Sequence, residues 1–220
     1  MRVRPKVSQL HYWSGWALGI LALSWFASGF FMTLKPIGEV RGEYIAAEPA
    51  SSVPPGRYVL GEVPDGASVS MVAASGGPAF VVQTGGVREV RDARTGVPMP
   101  PPSEAEVRAR AAALLKTDAA VIRAERLEAR PRDYGGPVPV WRLTLDAPPG
   151  ARLYVDAATG RLQRVRTRHW RAFDVAWRIH ILDPGGERIS SAWLTAASGA
   201  AVLFALSGLV LLWRPRRRRR

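Results

Sequence analysis

Three imidazoles, His11, His169 and His180, are the side chains of this chain best suited to chemistry. An imidazole titrates near neutral pH, donates from one ring nitrogen while accepting at the other, and ligates metals through either. Other reactive groups are scarce. The chain has no cysteine, which excludes disulfides, thiolate nucleophiles and thiolate metal sites. No Walker A, H-E-x-x-H or G-x-S-x-G pattern occurs, so the common enzyme signatures are missing and the chain reads as a non-enzyme by motif. Asp133, Asp146 and Asp183 have no visible partner arrangement and read as solvated loop acids. What the histidines do therefore depends on the elements that hold them.

His11 stands at the head of an uncharged run, Leu10 to Leu34. Such a run matches the roughly 20 residues that a helix needs to cross a bilayer core. It exceeds the short apolar core of a signal peptide, and no small-x-small cleavage site follows Leu34 directly, so it reads as an uncleaved anchor. A second uncharged run, Ile189 to Trp213, reads as another span and ends abruptly at Arg214 and the Arg216–Arg220 tail. His180 precedes it, in a segment 170–181 with amphipathic spacing. Trp170, Phe173, Trp177, His180 and Ile181 share one face and Arg171, Asp174 and Arg178 the other, the pattern of a helix lying in the membrane interface. Tyr12, Trp13 and Trp16 suit an aromatic belt. Gly15, Gly19, Ala22 and Gly29 in the first span, and Ala197, Ala201, Ala205 and Gly208 in the second, form stripes along which the two helices, or two copies, pack closely.

The formal charge of +13 is misleading until it is mapped. Three of the 31 basic residues precede the first run and six follow the second, leaving 22 against all 18 acids in between, a net +4. Basic flanks at both outer ends place both termini in the cytoplasm and the middle of the chain outside it. That distribution also argues against nucleic-acid binding.

The middle segment reads as α+β. A Pro/Ala/Gly/Ser-rich connector, 35–56, precedes strand-like runs at 58–63, 68–73, 79–83 and 87–91. Ser103-Glu104-Ala105-Glu106 is a capping box that opens a helix, with Val107, Ala111, Leu114 and Leu115 on the face that packs on a sheet. Strands follow at 121–130, 140–146, 152–155 and 161–165. Two turns repeat: Asp92-Ala93-Arg94-Thr95-Gly96 and Asp156-Ala157-Ala158-Thr159-Gly160, each an Asx-turn closed by a glycine at positive φ. The repeat suggests two related units, the first lacking a leading helix.

A helix followed by strands that end in YVDAATGRLQRV resembles the PepSY domain, and the first unit looks like a worn copy of it. The opening HYWSGW and the DVAWRIHILD segment ahead of the second apolar run resemble PepSY-associated transmembrane helices of iron-regulated inner-membrane proteins. The resemblance implies a helix-on-antiparallel-sheet outer domain flanked by two transmembrane helices. The expected divisions are 1–9 cytoplasmic, 10–34 first span, 35–56 connector, 57–102 degenerate unit and 103–166 PepSY-like unit. The interfacial segment at 167–188, the second span at 189–213 and the basic tail at 214–220 complete the chain. It implies an inner-membrane accessory of iron, siderophore or haem handling. Some relatives are implicated in siderophore reduction with haem b held by membrane histidines, which nominates His180, His11 and Met32 as ligands. His11 and His180 stand at opposite membrane faces and cannot share one iron; His169 and His180 cannot approach one haem from opposite sides. A homodimer pairing His11 with its copy, or a Met32–His180 pair, would complete a ligand set. The alternative is a non-enzymatic binding or inhibitory module that regulates a partner protein such as a protease, as other PepSY domains do. Membrane lipid, a second copy or a partner membrane protein are the expected partners.

Overall fold

The computed structural model describes residues 4–48, 52–74, 76–183 and 191–212. The Arg214–Arg220 tail and the start of the second apolar run lie outside the described residues. The architecture is α+β, with five helices and two antiparallel sheets among the described residues. Two compact units divide the chain. One runs from Pro36 to Arg171; the other gathers segments from either side of it.

In the Pro36–Arg171 unit, a three-stranded sheet has β1 (Ser68–Ala74), β2 (Gly77–Thr84) and β3 (Val87–Asp92) in sequence order. A four-stranded sheet follows, with β4 (Val121–Leu127), β5 (Val140–Leu145), β6 (Arg152–Asp156) and β7 (Leu162–Arg166), also in order. Between them comes a helix, here α3 (Glu104–Leu114), opened by the expected capping box. Ser103 accepts from the Glu106 amide, and the Glu106 carboxylate accepts from the Ser103 amide at 2.8 Å. The Ser103 amide and hydroxyl hold the Glu106 carboxyl below its usual range. Val107 and Ala111 of α3 are buried against Leu143, Leu145, Leu153, Val155, Leu162 and Val165 of the second sheet. Alternation along β5 turns its apolar residues inward, as its spacing predicts.

Two stretches differ from the sequence reading. Residues 58–63 form no strand. They run beside the first turn instead, where the Val59 amide donates to the Ala93 carbonyl and the Arg91 guanidinium donates to the Leu60 and Glu62 carbonyls. The supposed connector 35–56 contains α2 (Ile37–Arg41) and supplies Ile45 and Ala46 to the core, tied to the end of α3 through Ala47 N to Leu114 O and Lys116 N to Ile45 O. Two short apolar residues amid Gly and Pro carry no periodicity to reveal them.

The repeated turns are alike in their bonding and unlike in their burial. Asp92 Oδ1 accepts from the Arg94 and Thr95 amides at 2.7 and 3.0 Å, and Asp156 Oδ1 from Ala158 and Thr159 at 3.0 and 2.8 Å. Gly96 and Gly160 close them at φ 73° and 66°. Asp156, however, is fully buried, and its Oδ2 also takes a 2.7 Å ion pair from Arg88 of β3. One carboxylate thus closes a turn in the second sheet and ties down the first.

Asp133 is not the solvated loop acid that the sequence suggests. It accepts from the Tyr154 hydroxyl at 2.6 Å and from Arg152 at 3.0 Å, with Arg171 at 3.8 Å. Burial pushes its carboxyl upward, but the Tyr154 hydroxyl and the Arg152 guanidinium outweigh that and hold it below the usual range. Tyr154, buried and stacked on Tyr134 at 4.9 Å, is pushed up to about 12 by burial and by the Asp133 carboxylate. Asp146 likewise accepts from the Ala120 amide at 2.8 Å. Their partners come from distant strands, which sequence spacing alone does not display.

The second unit contains α1 (Arg4–Thr33), most of α4 (Arg168–His180) and α5 (Ser191–Leu212). Within α1, His11–Thr33 is long and apolar enough to cross a membrane; the apolar stretch of α5, Leu194–Leu209, is shorter. α4 is amphipathic, with Ala176 buried and Arg178 paired to Asp174 one turn back at 2.8 Å.

Asp156→Ala should destabilise the Pro36–Arg171 unit by roughly 3 kcal/mol, because it leaves a guanidinium without its buried partner. Asp92→Ala, the same change in the exposed copy of the turn, should cost clearly less. Chemical denaturation of the full chain in detergent would compare them, and equal losses would show that burial does not separate the turns. The Asp133 and Tyr154 shifts have opposite signs. Stability gained from the lowered Asp133 should be lost as pH falls below the usual carboxylate range. Stability gained from the raised Tyr154 is fully present below the ordinary tyrosine range and should be lost as pH rises toward about 12. Asp133→Asn should flatten the acid limb of the stability curve and shorten the alkaline one.

Candidate functional site

The histidines occupy three different environments. His169, near the start of α4, is exposed. His11 and His180 are each set against a Ser-Gly dipeptide of a neighbouring helix, by the same device.

His180 closes α4 and lies on Ser28-Gly29 of α1. Its Nδ1 is 3.2 Å from the Ser28 hydroxyl and 3.2 Å from the Trp25 carbonyl. A β-carbon on Gly29 would stand 3.3 Å from the imidazole Cε1, so the absence of a side chain there makes room for the ring. Trp25 returns the contact: its indole N–H donates to the His180 carbonyl, and the two rings stack with centroids 5.4 Å apart.

His11 belongs to α1 and lies on Ser207-Gly208 of α5. Its Nδ1 is 2.6 Å from the Ser207 hydroxyl, and its ring stacks on Phe204 at 4.4 Å with planes 8° apart. A β-carbon on Gly208 would stand 3.4 Å from Cε1 and 3.9 Å from Nε2. Phe204 in turn covers Gly15, where a β-carbon would meet its ring at 3.3 Å. Two of the expected small residues, Gly15 and Gly208, therefore serve the packing of α1 on α5. Gly19 meets nothing within 4 Å.

Hydrogen-bond accounting assigns the tautomers. A serine hydroxyl has one proton. Ser207 donates it to the Phe204 carbonyl at 2.7 Å and Ser28 donates its own to the Trp25 carbonyl at 3.0 Å. Each hydroxyl oxygen can then only accept from the imidazole beside it, and the Trp25 carbonyl is an acceptor by nature. With the serine protons so placed, each imidazole donates from Nδ1, and a neutral ring then carries its lone pair at Nε2. Metal-bound histidines are commonly held this way, one ring N–H fixed by a carbonyl and the other nitrogen free to ligate.

The two Nε2 atoms differ in their surroundings. That of His11 faces the gap left by Gly208 in α5, against the helix it packs on. That of His180 has no hydrogen-bond partner among the described residues, and its ring meets Gly29 through Cε1 and Nδ1 instead. Toward a haem iron, His180 would present Nε2 as a single ligand, whereas the His11 ring is taken up by helix packing. Met32, the proposed second ligand, is half-buried one turn beyond Ser28, and the His180 ring is seated on Ser28 and Gly29. His11 and Gly29 are 18 positions apart on one helix, about 27 Å at 1.5 Å per residue, so the two imidazoles remain far apart.

Ser28, Trp25, Ser207 and Phe204 were not legible as site residues. One signal was present. Within the two apolar runs the pair Ser-Gly occurs at 14–15, 28–29, 198–199 and 207–208, and two of these four receive an imidazole. No group of three or more ligating side chains that could hold a metal ion occurs among the described residues. No protein-family model matches the chain, and no curated protein or solved structure shows significant similarity to it.

The tautomer assignment is directly measurable. In the full chain at neutral pH, imidazole nitrogen NMR should show His11 and His180 protonated at Nδ1 and not at Nε2. Ser28→Ala and Ser207→Ala should each disturb the one histidine they face. A predominantly Nε2–H state in either wild-type ring would refute the hydroxyl accounting.

Proposed function

We propose that this chain is a two-pass inner-membrane protein of PepSY type, an accessory of iron, siderophore or haem handling that holds haem through His180. The observation that carries the reading is the His180 ring: Nδ1 engaged by the Trp25 carbonyl and the Ser28 hydroxyl, Nε2 left uncommitted. Trp25 fixes the ring from its face and from its backbone carbonyl, so the lone pair has a set direction before any ligand arrives. Haem, when bound, would supply a one-electron couple. The chain's part is to orient that imidazole through Ser28 and the Trp25 carbonyl and to cover its face with the Trp25 ring.

The two-pass reading rests on α1, on the apolar character of α5 and on the basic residues at both outer ends of the sequence. Tyr12, Trp13 and Trp16 are all more than half exposed in α1, as side chains facing lipid headgroups would be. The PepSY assignment rests on the α3–sheet arrangement and the twice-used DAxTG turn.

Full-length protein purified in detergent and supplied with haem should show a Soret band and a b-type pyridine haemochrome. His180→Ala should lose or shift the band, while His169→Ala and His11→Ala should retain it. No Soret band in the wild type, or an unchanged band in His180→Ala, would overturn the ligand assignment and favour a non-enzymatic binding or inhibitory module. Topology is tested separately. A reporter active only outside the cytoplasm should be active when fused after Pro102 and silent after Arg220; activity at the second site would overturn the two-pass reading.

A further inference from the structure

The four-stranded sheet has two edges, β4 and β7, and both carry arginines. They are managed in opposite ways. On β4, Arg123 pairs with Glu125 at 2.5 Å and Arg126 with Glu128 at 3.4 Å. On the β7 side, neither Arg161 nor Arg164 meets a carboxylate among the described residues. The Arg164 guanidinium instead folds onto the carbonyl of Gln163, its own neighbour, at 2.7 Å. Gln163 is the extra residue of a β-bulge: Arg164 stands opposite Tyr154 and Leu162 opposite Val155. A bulge bends the strand and re-aims its side chains.

These arginines do not project from a flat edge. They line a cleft of about 650 Å³ whose opposite wall is the segment from Arg41 to Glu48 and whose end is Trp170. Arg166, also in the lining, is held in place. Its Nε donates to the Asp133 carbonyl at 2.6 Å, and its guanidinium lies 3.8 Å over the Trp170 ring. Four arginines, 41, 161, 164 and 166, share this lining with two glutamates, 43 and 48, and Arg41 and Glu43 stand 3.9 Å apart. An edge defended only against strand pairing needs charge, and β4 shows that the chain defends an edge with locally paired charge. Concavity, a fixed guanidinium and uncompensated neighbours are the features of an anion site.

We propose that the β7 cleft binds a phosphate-bearing anion, with Arg161 and Arg164 as the principal donors and Arg166 as a fixed third. Arginine forks suit the oxygens of a phosphate group, and the cleft volume falls within the range of small-molecule sites. The phosphate can belong to an anionic phospholipid headgroup or to a free solute, and the chemistry of recognition is shared.

The test uses the full chain in detergent and has two arms. Sodium pyrophosphate is titrated calorimetrically, and phosphatidylglycerol retention is counted by native mass spectrometry against phosphatidylcholine. Arg161→Gln/Arg164→Gln should weaken the bound species by roughly tenfold or more, since two charge-assisted contacts are lost. Thermal melting of both double variants, expected to match the wild type, separates loss of fold from loss of binding. Arg123→Gln/Arg126→Gln, the same charge change on the opposite edge, should leave binding intact. Pyrophosphate binding that depends on Arg161 and Arg164 assigns a free anion; dependence seen only for phosphatidylglycerol assigns a headgroup. Binding of neither ligand, or equal weakening by both double variants, would overturn the proposal.

Discussion

A hydroxyl on an apolar helix has few polar neighbours and satisfies itself on the carbonyl one turn back. That constraint organises the helical unit. Ser14, Ser24, Ser28 and Thr33 of α1, and Ser207 of α5, all donate to the carbonyl three residues back. The donation removes the hydroxyl proton and leaves an oxygen that still accepts. At Ser28 and Ser207 an imidazole N–H fills that remaining capacity, and the adjacent glycine provides the space. The packing of α1 against its neighbours and the seating of both imidazoles therefore follow from one local rule.

The Pro36–Arg171 unit obeys a parallel constraint with charges in place of hydroxyls. Asp156 and Asp133 are the carboxylates on which it turns, and each is satisfied on both oxygens. Asp156 divides itself between its own turn and Arg88 of the other sheet; Asp133 divides itself between Tyr154 and arginines. Breaking such an arrangement by removing one member costs more than the pair contributes over a neutral substitute, because the remaining group is left buried and unpaired. The same sequence motif has two consequences in this chain, since Asp92 closes an identical turn at the surface without any second-sheet partner.

Local and periodic features were legible in the sequence. The Ser103 capping box, the alternation in β5, the Asx-turns and the amphipathic 170–181 segment are all set by residues within a turn or two of one another, and the structure has each of them. The strand expected at 58–63 is missing because its polar backbone is satisfied by Ala93 and Arg91, which the spacing within that run does not reveal. Ile45 was hidden for the converse reason: a single apolar residue between Tyr44 and Ala46 shows no period, yet it is wholly buried. The second apolar run was read at greater length than its described core, Leu194–Leu209, displays.

The site shows where sequence reading stops. Residue types picked out the histidines, and helical spacing put His180 on the right face of α4. The spacing could not decide which nitrogen carries the proton, since that depends on Ser28 in a helix more than 150 positions away. The Trp25 carbonyl, also 3.2 Å from Nδ1, can only accept, and Ser28 adds a second acceptor because its own proton goes to that carbonyl. Both partners lie in α1, one turn apart, and neither is displayed by the spacing around His180. The difference between His11 and His180 then lies in packing alone: the Nε2 edge of one meets the Gly208 gap in α5, and that of the other meets no hydrogen-bond partner among the described residues.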